Sequence, residues 1–339
     1  MVDYVDGFAG AGTYGGGASV PGSPVMAAQL AANLAAAGKW RYRLRCINME
    51  PKYFTELCEA TSPYDSSLVL NLHGTFKEHL PEIFKLIDAH PTLFFLDPFG
   101  YKGMEWEAIS QLAQRSARAK TELIINFNVG KVDRDAGWLD SYGQSAAPAF
   151  VQSLNELFGV DLWQQIIYSG LPKAQRDDEL TELYANRLGE AFRGIAAWYP
   201  VRTVRGQLKY YVLHVTSHRR GCREMGDVLY RVDHDYEAEK ERAEAASPRT
   251  LALFPELEAV SPREYEADLV SRLAEDIYGL GKQRKQLTFG ALQDGLCVRW
   301  FAEAVERHYR RACQQLIRQR RIDRDKETGI EEKSVLRFV

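Results

Sequence analysis

Glycines at the start of the chain are spaced so that the backbone itself can contact a ligand. The sequence opens MVDYVDGFAGAGTYGGG: a short β-prone run ends at Asp6, and Gly7, Gly10 and Gly12 follow. Glycine lets a chain turn tightly and approach a bound molecule with no Cβ in the way. An alanine-rich, helix-like segment then spans residues 24–37. Strand, glycine loop and helix in this order are typical of a nucleotide-binding α/β domain, although a glycine-rich turn alone also fits a simple loop.

Two further acidic residues end apolar runs later in the chain. Glu50 follows RLRCINM, and Asp97 follows TLFFL and opens the sequence Asp-Pro-Phe-Gly. The Glu50 carboxylate can accept hydrogen bonds from both hydroxyl groups of a ribose. Each acid also has a plain structural interpretation. Asp6 would cap its turn, Glu50 would be a surface acid before Pro51, and Asp97 would cap a helix with Pro98 at its first position.

Strand-like and helix-like segments alternate over the first 128 residues. The fourth strand is apolar at every residue, as expected for a strand that is covered on both faces. The alternation predicts an α/β fold with a doubly wound, mostly parallel, Rossmann-like sheet. The predicted segments are strand 2–5, helix 24–37, strand 43–49, helix 51–60, strand 67–72, helix 76–87, strand 93–96, helix 106–113 and strand 122–127.

The pattern changes after residue 128. Helical segments at 147–158, 162–168 and 180–192 precede a hairpin of 195–204 with 208–217. A charged helix over 236–250 runs into a linker, with Pro248 as its stop. At the C-terminus a segment at 287–292, a periodic helix at 300–319 and strands near 321–323 and 335–338 follow the winged-helix order. We predict a Rossmann-like half (1–128), a helical cap insertion (129–194), terminal antiparallel strands (195–235), a helical linker (236–282) and a winged-helix-like domain (283–339).

Composition limits the class of protein. The chain has 339 residues, 45% of them hydrophobic, and a net charge of −3, which argues against indiscriminate nucleic-acid binding. Local basic stretches at 202–223 and 282–324 still favour a polyanionic partner. Five scattered cysteines without a CxxC pair indicate neither a metal site nor a disulfide framework, so a reducing cytoplasm is expected. The first residues form a predicted core strand rather than a signal peptide, and no apolar run is long enough to span a membrane.

DGFAGAG followed by DPFG resembles the first and fourth motifs of class I methyltransferases that methylate amines. The order DGFAGAGTY, GSP, FFLDPFG and LIINF more closely resembles the three-Cys-motif partner protein family, over roughly residues 3–230. This resemblance implies a seven-stranded sheet that ends in an antiparallel pair, with S-adenosyl-L-methionine (SAM) as the cofactor. It also implies a companion protein, a radical-SAM-like protein that carries three clustered cysteines.

The resemblance assigns a cofactor role to residues after the first three strands. Asp6 would accept from the ammonium group of SAM, and Glu50 would hold the ribose. Related enzymes often place an Asp after strand three for the adenine amine. This chain has His-Gly-Thr-Phe there, so Thr75 or a backbone group would serve, and Phe76 would either stack on the ring or lie in the core. The cofactor-binding residues are then Asp6, Gly7, Phe8, Gly10, Gly12, Glu50, Thr75 and Phe76.

The resemblance also implies how a target amine would be held. The Asp97 side chain and the Pro98 carbonyl would accept hydrogen bonds from the NH2 group and orient its lone pair, so catalysis is positional and electrostatic. Phe99 would stack on a base. Phe99 stands in place of the family's second proline, and Gly100 in place of its aromatic fourth residue. The resulting DPFG resembles the corresponding motif of tRNA guanine N2-dimethyltransferases. The further predicted substrate-binding residues are Tyr101, Lys102, Asn128 and Arg134, of which Arg134 could pair with a phosphate or with Asp97.

Together these features predict a SAM-dependent methyltransferase that acts on an exocyclic amine of a nucleobase in DNA or RNA. A non-catalytic methyltransferase-fold subunit that binds nucleic acid or serves as a scaffold is the alternative, favoured by the missing adenine-binding acid and the altered fourth motif. A nicotinamide-dependent oxidoreductase is disfavoured, because GAGTYGGG lacks the GxGxxG spacing. The C-terminal arginines would either contact phosphates or form a solvated face balanced by Glu303 and Glu306.

Overall fold

The chain forms two compact units, Met1–Ser217 and His218–Val339. The finer five-part division stays a prediction, and Pro248 lies outside the described residues. The computed structural model describes residues 1–15, 20–38, 43–141, 143–203, 206–246, 262–324 and 329–339, without the side chains of 136–141, 143–148, 237–246 and 262–263.

The first unit is built on a seven-stranded sheet with the order β5-β4-β1-β6-β7-β9-β8. Neighbouring strands pair in parallel, except that β9 is antiparallel to both β7 and β8. This is the sheet of a Rossmann-like methyltransferase fold, and it confirms the predicted fold class. The strands are β1 (Val2–Asp6), β2 (Thr13–Tyr14), β3 (Val20–Pro21), β4 (Leu44–Glu50), β5 (Val69–His73), β6 (Thr92–Leu96), β7 (Thr121–Phe127), β8 (Ile195–Arg202) and β9 (Leu208–Thr216), of which β2 and β3 pair only with each other.

The strand order reverses at β1, which lies between β4 and β6. Asp6 is in register with Asn48 of β4 and with Phe95 of β6. Because all three strands run in parallel, the loops that follow them open at the same edge of the sheet. Ligands of open α/β sheets bind at such a reversal point, outside the carboxyl ends of the strands. The glycine loop and the Asp-Pro-Phe-Gly turn therefore lie side by side at this edge.

Amphipathic helices cover the sheet, and α3 shows why they form. Thr75 and Glu78 make a reciprocal capping box at its start, and Phe76, Leu80 and Ile83 are buried along one face. Within the described part of the chain, no helix combines the length and apolar character needed to cross a bilayer. The helices of the first unit are α1 (Ser23–Ala36), α2 (Phe54–Thr61), α3 (Phe76–Ile87), α4 (Trp106–Ser116), α5 (Val129–Ser141), α6 (Gly143–Phe158), α7 (Trp163–Ile167) and α8 (Lys173–Ala191).

The helices that follow β7 belong to the same hydrophobic core as the sheet. Phe127 of β7, Phe158 of α6 and Tyr184 of α8 are buried, and the rings of Phe127 and Tyr184 stack with centroids 4.9 Å apart. The segment predicted as a cap insertion thus contributes side chains that hold β7 in place. Helix α5 begins directly after β7, a position at which no separate helix was predicted.

The second unit contains a small antiparallel sheet with the order β10-β12-β11. The helix predicted for 300–319 begins only at Glu306, because the preceding residues form turns in which Ala302 has φ +59°. The order of the elements after α9 is helix, strand, helix, helix, strand, strand. The elements are α9 (Arg219–Ala246), α10 (Pro262–Arg284), β10 (Gln286–Thr288), α11 (Phe289–Leu296), α12 (Glu306–Arg318), β11 (Ile322–Arg324) and β12 (Val335–Phe338).

Candidate cofactor and substrate site

The glycine loop is pinned to the two strands that flank β1. The backbone N–H of Gly7 donates to the carbonyl of Phe95 at 2.9 Å, and that of Ala9 donates to the carbonyl of Met49 at 3.1 Å. These bonds fix the loop between the ends of β6 and β4. The backbone after β1 is consequently held in one position, and its glycines line the carboxyl edge.

The Asp6 side chain holds the glycine loop through hydrogen bonds. Its buried carboxylate accepts hydrogen bonds from the Phe8 N–H at 3.1 Å, from Ser23 Oγ at 2.6 Å and from the Tyr4 hydroxyl at 3.4 Å. Burial raises the pKa of Asp6 to about 6, although the bonds from Ser23 and Phe8 oppose that rise. The turn-capping interpretation of Asp6 thus describes its contacts in this structure. Both of its oxygens already have donors.

Two of the loop glycines have left-handed backbone conformations, but their surroundings differ. Gly10 has φ +60° and no atom within 4 Å of where a Cβ would lie, whereas Gly12 has φ +80° and a Cβ there would meet Ala60 at 2.9 Å. Gly7 lies against Leu96 and Phe76. Gly10 therefore offers open space to a ligand, while Gly7 and Gly12 allow close packing. Phe8 is half-buried, with its ring 6.2 Å from that of Phe76.

Glu50 has one engaged oxygen and one free oxygen. Its Oε1 accepts from the N–H groups of Lys52 at 2.7 Å and Tyr53 at 2.9 Å, and the residue is only 6% exposed. Among the described residues, no hydrogen bond reaches the other oxygen. Glu50 is thus a positioned acceptor at the edge of the sheet rather than a surface acid. Sequence reasoning missed Tyr53, which is 42% exposed and whose backbone N–H bonds to this carboxylate. An aromatic residue three positions after a strand-ending acid was the available signal.

Thr75 and Phe76 have structural roles in this conformation. The Thr75 hydroxyl bonds with Glu78 in the capping box, and Phe76 is 1% exposed in the main core. The core closes Phe76 to a ligand, whereas Thr75 is exposed and its side chain stays accessible. Phe76 is therefore a core residue, as its alternative interpretation held. The bond from Gly74 N to the Glu50 carbonyl, at 3.4 Å, ties this loop to β4.

Asp97 is half-buried at the end of β6, beside the glycine loop. Burial raises the pKa of Asp97, while a hydrogen bond with Asn126 and the charge of Lys209 act in the opposite direction. Asp97 does not cap a helix, because α4 begins only at Trp106 and Glu105 occupies its N-cap. The helix-capping interpretation of Asp97 is therefore wrong.

The turn after Asp97 presents an aromatic ring to solvent. Phe99 is fully exposed at 102%, whereas Pro98 beside it is buried. Gly100 has φ +92°, a conformation that side chains rarely adopt. A glycine at this position allows the turn to place the Phe99 ring in solvent.

Tyr101 anchors the turn to α5. Its buried hydroxyl donates to Asp135 at 2.9 Å, and the Lys131 ammonium contacts the same carboxylate at 2.5 and 2.6 Å. Lys102 is exposed and free to reach a ligand. Tyr101 therefore positions the Asp97 turn instead of facing outward with Lys102.

Asn128 and Arg134 lie beyond β7 on and around the start of α5. The Asn128 side chain accepts from the Lys131 N–H at 3.1 Å, so it caps this helix. Arg134 is exposed, and the cation that acts on Asp97 is Lys209 rather than Arg134. Within the described residues, Arg134 forms no ion pair with Asp97, and the positive charge that lowers the pKa of Asp97 comes from Lys209 of β9.

Sequence reasoning also missed three residues that interact electrostatically with Asp97, namely Tyr14, Lys209 and Tyr210. Burial, and then the charge of Asp97, raises the pKa of both Tyr14 and Tyr210. Lys209 lies beside Tyr210, with its ammonium 5.5 Å from the ring centroid. Lys209 and Tyr210 are far from Asp97 in sequence, and only the pairing of β9 with β7 brings them to this edge. Neighbouring lysine and tyrosine at the start of a strand gave no motif to recognise.

No protein-family model and no curated protein matches the chain. A solved SAM-dependent methyltransferase from Anabaena variabilis ATCC 29413 is 14% identical, covering 64% of this chain and 77% of its own, with a TM-score of 0.27. A protein from Rhodobacter sphaeroides assigned to the Zn-dependent alcohol dehydrogenases is 10% identical, covering 64% and 84%, with a TM-score of 0.28. The fold assignment therefore rests on strand order and register, and the relation to three-Cys-motif partner proteins stays a resemblance.

Proposed function

We propose that this protein is a SAM-dependent methyltransferase that acts on an exocyclic amine of a nucleobase in DNA or RNA. The observation that carries the proposal is the placement of three features at the reversal point of the sheet. These are the open backbone at Gly10, the free carboxylate oxygen of Glu50 and the half-buried carboxylate of Asp97. When bound, SAM would supply an electrophilic methyl group.

The residues at this edge fit the polar parts of SAM. Glu50 would accept from the ribose hydroxyls through its free oxygen, since Lys52 and Tyr53 already hold the other one. Gly10 would let the amino-acid end of the cofactor lie against the backbone. Asp6 would help to bind the ammonium group of SAM by holding the glycine loop in place.

Asp97 would orient the substrate amine. Its carboxylate and the Pro98 carbonyl would accept the two N–H bonds and so aim the nitrogen lone pair toward the methyl group. Asn126 holds Asp97, and Tyr101 holds the turn. The methylated amine is cationic and loses its proton readily, so these residues need not include a strong base. Their contribution is placement and electrostatics.

The companion three-Cys-motif protein is proposed from the resemblance alone.

The basic C-terminal helix gives little support for a second nucleic-acid contact, because several of its arginines form ion pairs with acidic residues of the second unit. Arg311 bonds Glu266 at 2.6 Å, and Arg310 bonds Glu306.

A scaffold subunit with the same fold is the second candidate, and specific contacts favour it. Both Asp6 oxygens have donors, and Thr75 and Phe76 are engaged in structural contacts. A scaffold would need no cofactor contact from these residues.

Transfer of a tritiated methyl group from SAM to mixed DNA and RNA would test the proposal. We expect label in one polymer with the wild-type protein and a loss of at least a hundredfold with Asp97→Ala. Asp88→Asn, at the opposite edge of the sheet, is the control and should retain activity, because asparagine tolerates the left-handed backbone of Asp88. Absence of label in both polymers, with SAM bound, would favour the scaffold.

A further inference from the structure

The first residues of β9 lie at the carboxyl edge, next to the Asp97 turn. The register pairs Tyr211 with Phe127, the last residue of β7. Since β9 runs antiparallel to β7, Lys209 and Tyr210 extend past the end of β7, where Asn128 follows. Asp97 ends the adjacent strand β6, so the residues of β6, β7 and β9 meet at one rim.

Several aromatic side chains at this rim are exposed to solvent. Phe99 is 102% exposed and Tyr14 is 62% exposed, while Tyr210 is half-buried. Large aromatic side chains are normally placed in a core, so an exposed group around one carboxylate indicates a contact surface. Planar ligands such as nucleobases bind to surfaces of this kind by stacking.

Lys209 adds a positive charge to the same rim. Its side chain is exposed, its ammonium lies 5.5 Å from the Tyr210 ring centroid, and its charge reaches Asp97. Among the residues that the structure describes, Lys209 forms no ion pair with a carboxylate. Its ammonium is therefore available to an anionic group of a ligand that is bound against Tyr210.

We propose that Tyr210 and Lys209 determine substrate class: Tyr210 stacks on the target base, and Lys209 binds a phosphate of the strand that carries it. The substrate would then be a nucleotide within a single strand rather than the amine of a protein side chain. This inference rests on the proposed function, because that function places the target amine at Asp97.

Fluorescence anisotropy with a fluorescein-labelled, mixed-sequence single-stranded 12-mer, as DNA and as RNA, would test the pair in the full chain. We expect Lys209→Gln to weaken binding and to reduce the slope of log Kd against log salt by about 0.7, the value for one phosphate on a single strand. We expect Tyr210→Leu to weaken binding by about tenfold or more with the slope unchanged, and Tyr210→Phe to bind like the wild type.

Matched control variants test whether losing any exposed lysine or tyrosine, rather than those at the rim, weakens binding of the 12-mer. Lys120→Gln removes an exposed lysine at the amino end of β7, and Tyr168→Leu removes a tyrosine that is 58% exposed after α7. Neither should change binding or slope. Equal losses in the controls, an unchanged slope in Lys209→Gln, or wild-type protein that binds neither 12-mer would overturn the inference.

Calorimetry with SAM on the same proteins distinguishes this inference from the proposed function. Lys209→Gln and Tyr210→Leu should bind SAM like the wild type. SAM binding without binding of either 12-mer would reject the proposed roles of Tyr210 and Lys209 and leave the cofactor site in place. Binding of a 12-mer with the predicted variant effects, but no SAM binding, would reject the methyltransferase and leave the nucleic-acid site.

Discussion

At the scale of single residues, Asp6 carries the most unusual electrostatics of the site. Because burial raises its pKa to about 6, the folded protein holds a proton more tightly than the unfolded chain does. The stability from this protonation is fully present below the ordinary Asp pKa of about 4 and is lost as the pH rises through about 6.

Asp6→Asn should therefore change how stability depends on pH. Between pH 7 and pH 5 we expect wild type to gain about 1 kcal/mol relative to the variant. Urea unfolding at both pH values measures the difference, with Glu59→Gln, an exposed acid on α2, as the control. An Asp6→Asn difference that stays constant with pH would show that Asp6 is ionised throughout this range.

The hydroxyl of Tyr101 offers a second test at this scale. Tyr101→Phe removes the donor to buried Asp135 and should destabilise the protein by about 1 kcal/mol. Tyr184→Phe is the matched control, because the Tyr184 hydroxyl is buried without a hydrogen-bond partner among the described residues. The control should be neutral or stabilising in thermal unfolding. A larger loss in Tyr184→Phe than in Tyr101→Phe would contradict the anchoring role.

Sequence reasoning located strand-ending acids well and their partners poorly. Glu50 and Asp97 were found because apolar runs mark the strands that they end. The residues that act on Asp6 and Asp97 were not found, because only tertiary packing brings Ser23 and Lys209 near them. Spacing in the chain contains no signal for such contacts.

At the scale of elements, the glycine loop can be tested through two residues with the same backbone conformation. Gly10 and Gly38 have φ +60° and +65°, and neither has an atom within 4 Å of a Cβ position. Alanine at either position should cost about 1 kcal/mol, the penalty for a side chain in the left-handed region. Only Gly10→Ala should weaken SAM binding, because only Gly10 lies at the carboxyl edge.

Thermal unfolding and calorimetry on the two glycine variants check this comparison. Equal stability losses with a selective loss of SAM affinity in Gly10→Ala are expected. Equal SAM affinity in both variants would mean that the cofactor does not lie against the loop.

Helix prediction succeeded where the apolar periodicity was clear. A helix with Phe76 and Ile87 among its inward residues was predicted after the turn at 73–75, and α3 spans Phe76–Ile87 with a capping box at its start. The hairpin of β2 and β3 was missed, since two-residue strands have no periodicity. Helix α12 was predicted to start too early, because the apolar residues near Trp300 fill the core from turns.

At the scale of the whole molecule, the candidate site lies entirely within the first compact unit. Every residue assigned to it belongs to Met1–Ser217, which contains the complete seven-stranded sheet. We therefore expect residues 1–217 expressed alone to fold cooperatively and to bind SAM as tightly as the full chain. Circular dichroism and calorimetry would measure both properties. A folded fragment that fails to bind SAM while the full chain binds it would place part of the site in the second unit.

Calorimetric titration of SAM into wild-type protein and Glu50→Gln tests the cofactor site most directly. The glutamine oxygen can still accept from the Lys52 and Tyr53 N–H groups, so the fold should be kept while the free acceptor becomes a donor. We predict micromolar binding by wild type, a loss of about tenfold to a hundredfold in Glu50→Gln, and no loss in Glu59→Gln. Equal affinity in all three proteins, or no binding by wild type, would contradict a SAM site at this edge.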